Sequence, residues 1–137
     1  MSGPLASAHP WDLVSSGYLA ENLEDMSFFS ARAIAQVAPA AGHTVLDVAT
    51  GPGTLAVQVA PQVTQVHALD FSPKMLALCR QRAAGIGNIA FHQGDGQNLP
   101  FEDDRFDAAF SMFGLMFFPD RARGLAELKR VLRPGGR

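Results

Sequence analysis

Three carboxylates stand where apolar runs end: Asp47 in Val45-Leu46-Asp47-Val48, Asp70 after Val66-His67-Ala68-Leu69, and Asp95 in Gly94-Asp95-Gly96. Between the first two lies a glycine turn, Ala49-Thr50-Gly51-Pro52-Gly53, that opens a helix-like stretch at Thr54. Gly51 and Gly53 would let backbone approach a ligand without side-chain interference, and the amides at the helix start would face an anionic group on it. Carboxylates at strand tips suit hydroxyls and positive charge. The pattern fits a nucleoside that carries a cation. Asp70 would accept from both ribose hydroxyls, in charge-assisted bonds worth roughly 1.5 to 3 kcal/mol each. Asp47 would lie by an ammonium or the water around it. Asp95 would accept from an adenine amino group while the Gly96 amide donates to a ring nitrogen.

S-adenosylmethionine meets these demands, with a sulfonium, an ammonium, a ribose diol and a carboxylate for the helix start. Gly51-Pro52-Gly53-Thr54-Leu55-Ala56 also matches the GxGxxG/A pattern of NAD(P) and FAD sites. Two residues oppose that alternative. Asp47 would repel a diphosphate, and Pro52 removes one amide from the loop that would cradle it. Ala49, Phe71, Met75 and Ser111 complete the candidate cofactor set; Met75 is read first as a packing residue of its helix. No general base stands out, so the catalytic residue is left open.

Other chemically able residues read as structural. His67 and His92 fall inside predicted strands without metal-ligand spacing, and no metal is expected. His9 and His43 read as exposed. Phe110, Phe113, Phe117 and Phe118 read as core rather than a substrate wall, with Phe113 placed where its strand opens to the site. Tyr18 could close over the cofactor, although packing or surface is the preferred reading. Glu102-Asp103-Asp104 reads as a solvated turn.

The elements that must position these groups alternate. Residues 1–10 read as a loose arm, and the spacing of Phe28, Phe29, Ala33, Ile34 and Val37 predicts a helix over 26–37, stopped by Pro39. Strands are predicted over 44–48, 63–69, 88–93 and 106–112. Helices are predicted over 54–60, from Ser72-Pro73 to Gly85 or Gly87, and over 121–132, the last burying Leu125, Leu128, Val131 and Leu132. Strands alternating with helices imply an α/β fold with a parallel sheet. Residues 1–38 would form an arm and cap helix, and 39–137 the cofactor-binding domain.

Bulk properties agree with one domain. The chain has 137 residues, 47% of them hydrophobic, and a formal charge of -2. That balance gives no basic field for nucleic acid and favours a small-molecule partner. Cys79 is the single cysteine, which excludes an intramolecular disulfide and fits a cytoplasmic setting. The longest apolar run, 108–118, is about half of what a bilayer span needs, so no membrane partner is expected.

In family order, four elements resemble the class I S-adenosylmethionine-dependent methyltransferases, specifically the type 11 group that includes ubiquinone and menaquinone biosynthesis methyltransferases. They are Val45 to Gly53, Leu69 to Leu76, Gly94 to Phe101, and Phe106-Asp107 with Leu128 to Gly136. The resemblance covers about 40–137. It implies a Rossmann-like fold with sheet order 3-2-1-4, methyl transfer to a small-molecule acceptor, and a methionine end held by Asp47, Gly51 and Gly53. Ribose would lie on Asp70 and adenine on Asp95 and Gly96. Ala49 stands where glycine is commoner, tolerable at negative φ. Family strands 5 to 7 are missing. The chain therefore reads as C-terminally truncated, and its fourth strand as an apolar unpaired edge open to self-association. Two other readings stand beside this one: a catalytically silent cofactor-binding or regulatory fragment, and an NAD(P)-dependent oxidoreductase.

Overall fold

A computed structural model describes residues 3–137. Four parallel strands form its centre: β1 (Thr44–Val48), β2 (Gln65–Asp70), β3 (Ile89–Gln93) and β4 (Ala108–Phe110). Their spatial order is β3-β2-β1-β4, as the sequence implied. Asp47 pairs in register with Ala68, and Asp70 with Gln93. Parallel register brings the carboxyl ends of three strands, and hence all three acids, to one rim of the sheet.

Each face of the sheet has its own cover. Val45, Val66, Ala68, Ala108 and Phe110 pack with Leu55, Val59 and Cys79 of helices α2 (Thr54–Val59) and α3 (Pro73–Arg82) and with Ile34 of helix α1 (Ala8–Val37). Leu46, Val48 and Leu69 pack with Leu99 and Phe101 of the loop before β4, with Phe106, and with Val131 of helix α4 (Arg121–Val131). The central strands are buried on both faces, which is why they read as continuous apolar runs.

Helix α1 runs 30 residues, beginning at Ala8 within the expected arm and far ahead of the helix start expected at 26, with a short 3-10 turn at Pro4–Ala6 before it. Its inward stripe is Trp11, Ser15, Tyr18, Asn22, Met26, Ser30, Ile34 and Val37, a helical spacing written largely in polar letters, so hydrophobic periodicity missed its first half. Pro10 is tolerated because it falls in the first turn, where amides lack intrahelical partners. Asp12 docks this half onto α3: the Ser72 hydroxyl donates to its Oδ1, and the Lys74 N–H does so at 3.3 Å. Ser72 itself caps α3, accepting from the Met75 N–H at 3.1 Å.

Two further expectations need correcting. Leu125 on α4 is 54% exposed, because the buried position of that turn is Gly124, where a Cβ would lie 2.6 Å from Phe118 and 2.9 Å from Leu115. The β4 edge is covered in part, and β4 is shorter than expected. The Arg137 N–H donates to Asp107 O at 3.1 Å and the Ala109 N–H to Arg137 O at 2.9 Å, while Phe106 bridges Leu132. Backbone groups that would have been open to another chain are thus partly used. No helix among the described residues is long and apolar enough to cross a membrane.

Candidate cofactor-binding site

At the carboxyl rim of the sheet, α1 and the loops after β1, β2, β3 and β4 enclose a cavity of about 180 Å³. Asp47, Ala49, Gly51, Asp70, Phe71, Met75, Asp95 and Gly96 all line it. Gly53 and Ser111 do not. Gly53 has φ +80°, and a Cβ there would overlap the Cys79 sulfur, so its missing side chain serves the packing of α2 on α3 rather than ligand approach. Ser111 Oγ is buried without a hydrogen-bond partner, 3.1 Å from where a Cβ of Gly114 would sit.

Asp70 is positioned by backbone. Gly51 N–H donates to its Oδ2 at 2.8 Å and Ser72 N–H to its Oδ1 at 2.9 Å, so one carboxylate ties the glycine loop to the start of α3. Each oxygen keeps a second acceptor site. Burial raises its pKa, opposed by these amides. Arg82 braces the loop from behind, donating at 2.9 Å to both Pro52 O and Thr54 Oγ1.

Asp47 is buried in the rim and accepts from Thr50 Oγ1 at 2.7 Å. Burial pushes its pKa up to about 7, and the neighbouring Asp70 adds to the effect. The folded chain therefore binds a proton that the unfolded chain releases near the ordinary carboxylate value. From about pH 4 to about pH 7 this costs stability as pH rises, up to a few kcal/mol. Burial pushes His67 down to about 4, which gives the opposite slope, so the comparison is made against Asp47→Asn. Urea unfolding at about pH 5 and about pH 8 should show the variant gaining on the parent at the higher pH. A pH-independent difference would mean that Asp47 titrates normally.

Ala49 departs from the expected negative φ. It sits at +57°, in the left-handed region, because the chain must reverse sharply between β1 and α2. Its Cβ lies where a Cβ of Gly114 would be, so Gly114 leaves room for it. At Gly96 a Cβ would meet Phe118 at 2.5 Å and Val48 at 2.7 Å, which fixes the loop after β3 close to the sheet.

Sequence reasoning missed much of the aromatic wall. Phe113, Phe117 and Phe118 line the cavity, while Phe110 is core, as expected. Trp11 and Tyr18 also line it, and Trp11 packs edge-on against Phe117 at 5.0 Å. Burial and the nearby Asp70 raise the Tyr18 pKa. The helical spacing of Trp11, Tyr18 and Met26 was the available signal. Gln97, another lining residue, carried no signal beyond its place after Asp95.

The histidines lie away from the cavity. His67 Nδ1 and His92 Nε2 are 2.8 Å apart, their rings stacked beside Phe101. His43 is half-buried rather than exposed, its Nδ1 accepting from the Ala40 N–H at 3.1 Å. Asp103 of the acidic turn is 72% exposed yet pairs with Arg130 at 2.7 Å.

The comparisons with known proteins agree with this geometry. A family model described as a methyltransferase domain matches residues 45–136. The demethylmenaquinone methyltransferase of Clavibacter sepedonicus is 46% identical over 101 residues, covering 74% of this chain and 41% of that protein. A putative methyltransferase from Bacillus halodurans superposes with a TM-score of 0.74 at 35% identity, over 78% of this chain and 47% of the other. The phosphoethanolamine N-methyltransferase of Haemonchus contortus, solved with S-adenosylhomocysteine, shares the fold with a TM-score of 0.79 at 23% identity, over 92% of this chain and 29% of that one. The chain belongs to the class I S-adenosylmethionine-dependent methyltransferases, in the neighbourhood of the ubiquinone and menaquinone methyltransferases. It spans less than half the length of the curated relatives it matches.

Proposed function

We propose that this cavity holds S-adenosylmethionine for methyl transfer to a small-molecule acceptor. One observation carries the reading: Asp47, Asp70 and Asp95 line a single cavity whose described lining includes no lysine, arginine or histidine. Such a site repels a diphosphate and attracts a cationic nucleoside. Asp70 would take the ribose diol, and Asp47, neutral or ionised according to what faces it, would regain its charge beside an ammonium. Asp95 and Gly96 would take the adenine, with Phe71 and Met75 as apolar contacts. Residues 39–137 would then be the binding domain and 1–38 its cap, since Trp11, Tyr18, Met26 and Ser30 close the cavity from α1.

When bound, the cofactor would supply an electrophilic methyl group on sulfur to a nucleophilic carbon, oxygen or nitrogen of the acceptor. What the chain adds is alignment and exclusion of water by the aromatic wall. Trp11 is the sole tryptophan and lines the cavity, so its fluorescence reports occupancy. Titration with S-adenosylhomocysteine should change it saturably and NAD should not. A saturable response to NAD alone would replace this reading with the dinucleotide one.

A further inference from the structure

The carboxylate of Asp95 is exposed, and an exposed aspartate ordinarily samples several rotamers, which would make it a poor reader of a base edge. Here it is held. The Gln97 N–H donates to Asp95 Oδ1 at 2.8 Å, and the Gln97 side-chain Nε2 donates to Oδ1 at 3.1 Å and to Oδ2 at 3.3 Å. The other end of the same amide group accepts: Gln97 Oε1 receives the Asp120 N–H at 2.7 Å, which fixes the amide's orientation. Asp120 caps α4 through the Arg123 N–H at 2.9 Å, and the Arg123 Nε returns to donate to the Gln97 carbonyl at 2.7 Å. Phe118, just before this cap, is the ring that a Cβ at Gly96 would strike.

We propose that Gln97 is a positioning residue that sets selectivity for an adenine amino group, by holding the Asp95 carboxylate in place and tying it to the start of α4. The inference rests on the cofactor reading above and adds a residue to it. Only a side chain with a donor and an acceptor at one end can do both tasks: glutamate keeps the bond from Asp120 but loses the donor to Asp95, and methionine loses both. Exchanging the amino group of adenine for an oxygen replaces a donor with an acceptor, which a fixed carboxylate rejects and a mobile one tolerates by turning away.

The test is calorimetric titration of the 137-residue chain with S-adenosylhomocysteine and with its deaminated counterpart, S-inosylhomocysteine. The parent should prefer the adenine compound by about tenfold or more. Gln97→Glu and Gln97→Met should each bring the ratio to within about twofold, chiefly by weakening the adenine compound. Melting curves check that both variants fold; Gln97→Glu keeps the link to α4 but sets a second carboxylate against Asp95, so some loss of stability is expected in both variants and the ligand ratio is the deciding readout. A merely structural role would lower stability and weaken both ligands alike, leaving the ratio unchanged. A parent that binds and discriminates, with variants that discriminate equally, overturns the role of Gln97 alone. A parent that binds both equally overturns it too, whereas a parent that binds neither overturns the cofactor reading and this inference together.

Discussion

Asp70→Ala should weaken S-adenosylhomocysteine binding at least about a hundredfold, because two charge-assisted hydrogen bonds to the ribose diol would be lost together. The carboxylate also receives the Gly51 and Ser72 amides, so removing it loosens the glycine loop as well. These two losses can be separated. A ligand lacking the ribose hydroxyls should be hurt much less by Asp70→Ala than the parent ligand is, and the difference between the two measures the diol contacts alone. Asp70→Asn keeps one acceptor oxygen but sets an NH2 against the Gly51 or Ser72 N–H, so it should lose affinity as well. Equal affinities for parent and Asp70→Ala, measured by calorimetry, would remove Asp70 from the site.

A second large effect is expected in stability rather than binding. Gly53→Ala forces a side chain onto a backbone at φ +80° and drives its Cβ into the Cys79 sulfur. Left-handed backbone costs roughly 1 to 2 kcal/mol for a residue with a Cβ, and overpacking adds about 1 to 3. Of the order of 2 to 5 kcal/mol is a large part of a small domain's stability, so the variant should unfold at much lower urea than the parent. Adding Cys79→Ala removes the atom that is struck. The double variant should therefore recover part of the loss, giving a coupling of about 1 to 3 kcal/mol, whereas strict additivity would show that the two positions do not collide.

Strands and acids were legible because their physics is local. Strands buried on both faces read as unbroken apolar runs, and the parallel order follows from the alternation of strand and helix, so the convergence of Asp47, Asp70 and Asp95 could be anticipated. Four things were not legible. The first half of α1 presents Ser15, Tyr18 and Asn22 inward, and polar letters hide a helical stripe. Gly53 looked like a ligand-facing glycine, but only the position of Cys79 decides what its missing Cβ makes room for. Ala49 takes a left-handed turn that alanine ordinarily avoids, and its compensation, Gly114, lies 65 residues away in sequence. Gln97 depends on Asp120, and a hydrogen bond between two loops leaves no periodic trace.

The aromatic wall shows the same limit. Phe113, Phe117 and Phe118 have the composition of core, and a cavity beside a core is lined by the same residue types. What separates them is the closure supplied by Trp11 and Tyr18, which depends on Asp12 docking α1 on α3.

Three strand-end carboxylates should hold one cationic nucleoside at the rim of this sheet. A crystal structure of the chain with S-adenosylhomocysteine tests it most directly. The ribose diol is expected on Asp70, the adenine amino group on Asp95 and the amino-acid end beside Asp47 and Gly51. A ligand bound elsewhere, or in this cavity with its diol turned away from Asp70, would contradict it.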